Sequence, residues 1–527
     1  MTKGYLSLVL HAHLPFVRHP EHEDFLEEDW LYEAVAETYL PLLESFEKLV
    51  SEGVDFKLTM TMSPPLCNML GDDLLKERIH KRLARLVELG DREIKRLGSD
   101  SEFIVPANMY RQRFERLLNL FDSRNKDLLS AFGALQEKGY LEIITCGATH
   151  GFLPLLRVNP KAVEAQVRVA VSDYQYWFHR KPRGIWLPEC GYYPGLDKVL
   201  SDNGLGFFFL DTHGIENARP RPVHGIHRPL LCPTGVAALA RDPECGRQVW
   251  SADEGYPGDP DYREFYRDIG FDLPLDYIAP YVQPTGERKN TGYKYYRITG
   301  KVGRKQVYDP DRAHRKAEEH AGNFMFFREK QVDWLSQKMD VPPLVTAPFD
   351  AELFGHWWFE GPLFLEHLLR KIHCHSRIIN TSTPVEYLDL FPVHPVAVPS
   401  MSTWGAGGYC EVWCEGSNDW IYPHLHRAAD RLIAMARKYA GNAQALQERV
   451  LNQAARELLL AQSSDWAFIM KTRTMVEYAV RRTREHLSNF HMLADMVEKE
   501  GMDETTLAEI ESRDNIFPSI DFRMFTG

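Results

Sequence analysis

Cysteine is scarce in this chain: eight in 527 residues, at positions 67, 146, 190, 232, 245, 374, 410 and 414, with no Cys-x-x-Cys pair. That spacing offers neither a disulfide framework nor a regular zinc site, so reduced, structural thiols are expected. The tract His373-Cys374-His375 continues a helical pattern running from Leu363 to Ile372 and is short of the four ligands a structural zinc needs. Long apolar runs are missing too. No stretch approaches the roughly 20 residues of a membrane helix, and the first run, Leu6 to Leu10, is cut by His11 and His13, far short of a signal-peptide core. Blocks of positive charge are also lacking. The net charge of -12 and the pI near 6.0 come from interspersed acids and bases, which leaves no cationic face for phosphate backbones. Nucleic acid and membrane are therefore not expected as partners, and a soluble, cytoplasmic protein is.

What the chain does have is length and apolar content, 44% hydrophobic, enough for two to four units. Short apolar runs recur, each ending in a polar or aromatic cluster: Tyr5 to Leu10, Phe56 to Met62, Leu141 to Thr145, Gly184 to Leu187, Gly206 to Leu210 and Leu344 to Ala347. Runs apolar throughout fit parallel strands buried on both faces, and the helices between them imply crossover connections. One such helix starts at Asn159-Pro160, a cap followed by proline at the first helical position, and runs to Trp177. Chemistry at the C-terminal ends of strands is the arrangement of a (β/α) barrel. Six or seven candidate strands make it an incomplete one, with a doubly wound open sheet as the alternative. The expected class is thus α/β: a catalytic barrel over 1–400, interrupted by a helical insertion at about 72–138, then a C-terminal all-helical domain over 401–527. Within that last part, helices are expected through Ala428 to Tyr439, Ala443 to Gln462 and Trp466 to Lys499. The stretch Trp250 to Tyr296 reads as a long loop with eleven aromatics in 47 residues. It is either a self-packed lid or a set of stacking surfaces for sugar rings.

Glu189 ends the run Gly184-Ile-Trp-Leu-Pro-Glu189 beside Trp186, Tyr192 and Tyr193, and Asp350 follows a second apolar run, before Trp357 and Trp358. Paired carboxylates on separate strand ends, in apolar and aromatic surroundings that raise a pKa, suit glycosidic bond chemistry. A single such residue is more often a helix cap or a structural ion pair; two in the same setting argue for catalysis. His11, His13, His150, His213 and His356 all fall beside strand ends, where they could meet the carboxylates or sugar hydroxyls. Two rivals stay open. A metal-dependent hydrolase would use His11 and His13 as ligands, and a binding module without catalysis would use Trp357, Trp358, Trp404, Trp413 and Trp466 as platforms.

Five segments resemble the sequence regions of glycoside hydrolase family 57: His11-Ala-His-Leu-Pro15, Gly147-Ala-Thr-His-Gly151, Trp186-Leu-Pro-Glu-Cys190, Phe349-Asp-Ala-Glu-Leu-Phe-Gly-His-Trp357 and Thr403-Trp-Gly-Ala-Gly-Gly408. The resemblance implies an incomplete (β/α)7 barrel, a retaining mechanism with Glu189 as nucleophile and Asp350 as acid/base, and no metal or other cofactor. Within the family the likeness is to the α-1,4-glucan branching enzymes and the amylase-like proteins grouped with them, so an α-glucan polysaccharide is the implied substrate. Branching is the first expectation, amylase-like hydrolysis the second. On the same likeness Arg241, Trp250, Gly258, Trp358, Trp404, Trp413, Asp465 and Trp466 would line the glucan site. One departure stands out: such branching enzymes carry a tyrosine on a loop over the site, whereas 212–236 here is short and has no tyrosine, only His213, His224 and His227. A shortened cover is expected to let water in and raise hydrolysis.

Overall fold

The computed structural model describes residues 2–251, 254–282, 285–300, 305–499, 501 and 503–526. Positions 252, 253, 283 and 284 of the aromatic stretch, and 500, 502 and 527 of the C-terminal region, lie outside them.

Seven parallel strands form an incomplete barrel. They are β1 (Gly4–Ala12), β2 (Leu58–Met62), β3 (Leu141–Ile144), β4 (Gly184–Ile185), β5 (Phe207–Leu210), β7 (Ala237–Ala240) and β8 (Leu344–Asp350). Two short strands, β6 (Leu230–Leu231) and β9 (Ile379–Thr381), lie beside this ring, β6 antiparallel to β7 and β9 parallel to the start of β1. The order around the barrel is β8-β1-β2-β3, then β4-β5-β7. A bridge from Thr145 to Ile185 links the two sheets, and the amide of Asp242, just past β7, donates to the Thr346 carbonyl of β8 at 2.8 Å. Every residue of β2, β3, β5 and β7 is buried, as expected of parallel strands covered on both faces. The strand at Ala237–Ala240 was not among the expected runs: four residues, three of them alanine, carry little β preference.

The register of β1 on β8 sets the geometry at the barrel rim. Residue pairs run from Tyr5 with Leu344 to His11 with Asp350, so a histidine and a carboxylic acid leave adjacent strands at the same height.

The insertion between β2 and β3 holds helices Asp73–Leu97, Ile104–Ser123 and Leu128–Glu137. The first is capped by the Asp72 carboxylate, which accepts from the Leu75 amide, and buries Leu75, Ile79, Leu83, Leu86 and Leu89 along one stripe. The aromatic stretch packs onto it: the Tyr293 hydroxyl donates to the Leu86 carbonyl at 2.6 Å, that of Tyr295 to Glu93 at 2.9 Å. Tyr293 and Tyr295 are thus buried against the insertion, whereas Trp250 reaches the cavity wall.

The C-terminal region is helical from Ile421. The single helix expected from Trp466 to Lys499 is two, Ser464–Thr472 and Val476–Glu498, because Arg473 takes a left-handed conformation (φ 60°) that ends the first. These helices dock directly on the barrel: Thr149 Oγ1 donates to the Leu459 carbonyl, Gln166 Nε2 to Gln462 Oε1 at 3.0 Å, and the Ser464 amide to the His150 carbonyl at 3.1 Å. No described helix is long and apolar enough to cross a membrane.

Candidate active site

A cavity of about 490 Å³ opens at the C-terminal ends of the strands. Its wall includes His11, His13, His150, Glu189, Arg241, Trp250, Asp350, Glu352, Trp357, Trp404, Trp413, Asp465 and Phe468. Both carboxyl groups singled out from the sequence thus face one space.

The chain reaches this cavity by unusual backbone. His150, Glu189 and Cys190 have φ of 56°, 62° and 51°, a region that side chains with a Cβ rarely adopt and that costs on the order of 1–3 kcal/mol each. Surrounding bonds hold Glu189 there. Its carbonyl accepts from the Trp404 amide at 3.0 Å, its Oε2 from Trp404 Nε1 at 2.7 Å and its Oε1 from Ser464 Oγ at 2.8 Å. Burial lifts its pKa to about 7, with the Asp465 charge adding to the lift, while the Trp404 and Ser464 donors oppose it.

Asp350 has no such donors among the described residues. Burial, then the charges of Glu352 and Glu189, push its carboxyl well above the usual range, and only Arg241 opposes. Of the two, Asp350 is thus the one whose surroundings favour the protonated form, while two donors favour the ionised form of Glu189.

The histidines separate into different states. His13 donates through Nε2 to Asp465 at 3.1 Å, and its Nδ1 is hydrogen-bonded to Ser63 Oγ at 2.8 Å. Burial alone would lower its pKa; the charges of Asp465, Glu352 and Glu189 outweigh that and raise it. Asp465 is correspondingly held down at about 2, its own burial cost overcome by His13. His11 and His150 are pushed well below the usual value, by burial first and by neighbouring histidines second, so both are neutral.

Neutrality fixes the order of a hydrogen-bond chain. Ser464 gives its only proton to Glu189, so it accepts from His150 Nδ1 at 2.8 Å, and the bare His150 Nε2 then accepts from His11 Nε2 at 3.1 Å. His11 Nδ1 is left as a buried acceptor without a partner. Every donor along this chain points toward the Glu189 carboxylate.

Several residues expected at the site sit elsewhere. His213 bonds the Gly408 carbonyl at 2.7 Å and braces the segment that carries Trp404. His356 bonds Glu37 at 3.1 Å, beneath the loop after β8. Trp358 is packed among Phe354, Tyr262 and Phe364 at 1% exposure, and Trp466, equally buried, donates to the Leu460 carbonyl at 2.8 Å. Gly258 lies in the turn Tyr256–Gly258 and Tyr192 in the core, neither on the cavity wall. Glu352, Ser464, Trp357 and Phe468 are wall or contact residues that sequence reasoning did not assign to catalysis. Glu352 was signalled by its spacing of two from Asp350; Ser464 carried no signal beyond its neighbour Asp465.

The short segment 212–236 does not cover the cavity. From the end of β5 it runs to the far end of the barrel, where His224 and Arg228 bond Asp340 at 2.9 and 3.2 Å, ahead of β8 and opposite the Asp350 end.

Among the described residues three groups could hold a metal ion by distance alone, with ligand atoms within 4.8 Å of one another, and two of them lie at this cavity: His11, Cys146 and His150, and His13, His150 and Asp465. Their chemistry fits poorly. His13 directs Nε2 at Asp465 and is bonded through Nδ1 to Ser63, and both nitrogens of His150 are engaged by Ser464 and His11.

Comparison with known proteins agrees with this architecture. A 1,4-alpha-glucan branching enzyme of Thermococcus kodakarensis is 36% identical over 550 residues, covering 98% of this chain and 77% of its own length. Among solved structures, the alpha-amylase AmyC from Thermotoga maritima is 46% identical with a TM-score of 0.95, covering 100% of this chain and 99% of its own. A branching enzyme from Pyrococcus horikoshii is 35% identical with a TM-score of 0.90, over 100% and 97% of the two chains. Residues 424–525 match the family described as 1,4-alpha-glucan branching enzyme, C-terminal. Residues 7–401 match the family described as Glycosyl hydrolase family 57, and the chain belongs to that family.

Proposed function

We propose that this protein is a retaining 1,4-α-glucan branching enzyme. The observation that carries the proposal is the unequal treatment of two carboxyl groups in one cavity: among the described residues Glu189 receives two side-chain hydrogen bonds and Asp350 none. Asp350 protonates the oxygen of an α-1,4 bond as it leaves, and Glu189 attacks the anomeric carbon to form a glycosyl ester. The ionised Asp350 then takes the proton of a glucan 6-hydroxyl, whose oxygen displaces Glu189 and closes an α-1,6 branch. The relatives named as branching enzymes support glucan as both donor and acceptor. Linear amylose incubated with the enzyme, then debranched, tests this: new α-1,6 linkages are expected, and reducing ends rising alone would reject branching.

Hydrolysis is the second reading, favoured by the likeness to an alpha-amylase and by the absence of a tyrosine cover at 212–236. With water in place of the 6-hydroxyl, the same two steps release a free reducing end. Both products are expected from one preparation.

The pH profile follows from the two shifts. A nucleophile with its pKa raised to about 7 is protonated below that value, so kcat/KM falls about tenfold per unit as pH drops below 7. Asp350, raised well above its usual range, sets the alkaline limb, where activity is lost as it ionises. Replacing Trp404 by Phe removes one donor to the ionised Glu189 and moves the acid limb up by about one unit, measured from the same profile.

Metal removal is expected to leave activity intact. A loss after dialysis against EDTA that zinc restores would reinstate the metal-dependent reading.

A further inference from the structure

A second cavity, of about 380 Å³, shares no wall residue with the catalytic one. It lies between the helix Leu40–Ser51, the helix Ile104–Ser123 of the insertion, the segment from Tyr308 to His314, and the start of the helix Gly361–His375 with Phe359 and Glu360 before it. Phe359 and Glu360 close the loop that opens at Asp350, so one short piece of chain borders both spaces. The volume falls within the range of about 300 to 1,000 Å³ usual for small-molecule sites.

Polar groups meet there without partners. Arg113 makes no hydrogen bond or ion pair among the described residues: its Nε and Nη2 are buried and unmatched, and the guanidinium rests on the Phe359 ring at 4.5 Å. A contact of that kind offsets only part of what a desolvated cation forfeits. Burial accordingly lowers the Arg113 pKa from the ordinary arginine value. Glu360 is the acidic counterpart. Its Oε1 accepts from the Arg263 amide at 3.1 Å and from the Tyr308 hydroxyl at 2.7 Å, while its Oε2 is buried with no donor. Ser45 adds a hydroxyl to the same wall.

The charges of the wall decide what it can hold. Lys48 is bonded to Glu366 at 2.7 Å and Arg116 to Glu44 at 3.3 Å, which leaves Arg113 and Glu360, one of each sign. A phosphate or carboxylate would be repelled by Glu360, and an amine by Arg113. A neutral molecule with several hydroxyls suits both, since each hydroxyl donates and accepts. Pro41, Pro362 and Leu363 supply apolar wall for the CH groups of a sugar ring. Resting on the glucan reading above, we infer that this cavity is a second sugar site, which holds a short stretch of the glucan away from the reacting bond and tethers the polymer to the enzyme. Arg113 donates to hydroxyls of the held unit and Glu360 Oε2 accepts from them, each side chain turning slightly about its last bond to do so.

Calorimetry with maltotriose tests this on the full chain carrying Glu189→Gln, which does not consume the ligand. Two bound molecules per chain are expected, and a single one once Arg113→Met is added. Arg113→Met exchanges an unmatched cation for an apolar chain, so the melting temperature is expected to hold or rise, which a structural arginine would not allow. Ser45→Ala, a milder change, is expected to weaken the second site by about threefold. With the nucleophile intact, Arg113→Met is expected to raise the KM for amylose by about three- to tenfold, and the KM for α-maltosyl fluoride, too small to span both cavities, by at least about threefold less. Stoichiometry and affinity left unaltered by Arg113→Met and Ser45→Ala overturn the second site, as does a fall in melting temperature with equal losses at both sites. Amylose turnover by the wild type with maltotriose bound at one site that neither variant weakens rejects the second site alone. Maltotriose held at a site sensitive to both variants, in an enzyme that never turns over amylose, rejects the function proposed above and leaves the second site standing.

Discussion

Glu189→Gln abolishes turnover of amylose, by roughly 10⁴-fold or more, because an amide cannot form the glycosyl ester. The variant keeps its fold and its affinity for glucan. Gln preserves shape, and the hydrogen-bond chain adapts by reversing: the new amide N–H donates to Ser464, whose proton turns to His150 Nδ1, while His150 donates through Nε2 to His11. Oligosaccharide binding by calorimetry alongside rate measurement checks both halves. A variant retaining a tenth of the wild-type rate would remove Glu189 from the mechanism.

Asp350→Asn is the second large effect, a fall of about 10²- to 10⁴-fold, the range general acids supply. Its signature is dependence on the leaving group. Fluoride needs little protonation, so glycosyl-ester formation from α-maltosyl fluoride stays fast while amylose cleavage does not. The alkaline limb set by the raised Asp350 also disappears. Equal losses on both substrates would show that Asp350 positions rather than protonates.

Much of this site was legible in the sequence because the barrel strands are apolar runs that end in polar clusters. Glu189 and Asp350 stood out for that reason, as did His11, His13 and His150. The strand Ala237–Ala240 was hidden by its alanines, and β4 spans only two residues. Facing was hardest to read. Trp357 and Trp358 are neighbours in sequence, yet one is open to the cavity and the other buried. The turn at Gly355 decides this: its φ is 121°, and a Cβ there would meet the Glu37 carbonyl oxygen at 1.9 Å, so only glycine lets the loop fold over the Glu37 helix. His213 and His356 show the same limit, since being next to a strand end does not fix the direction of a side chain. Ser464 lies 275 residues beyond Glu189, and only the resemblance that placed its neighbour Asp465 at the glucan site pointed to that meeting.

That last meeting has a consequence for biosynthesis. A ribosome completes all seven strands, and both reacting acids, well before it reaches the hydroxyl that steadies Glu189 and the anion that charges His13. A nascent chain with only its barrel made therefore lacks two partners of its cavity side chains, and the site is completed only in about the last tenth of translation. Trimming the gene before the codons for these helices would leave both acids in place without those two partners.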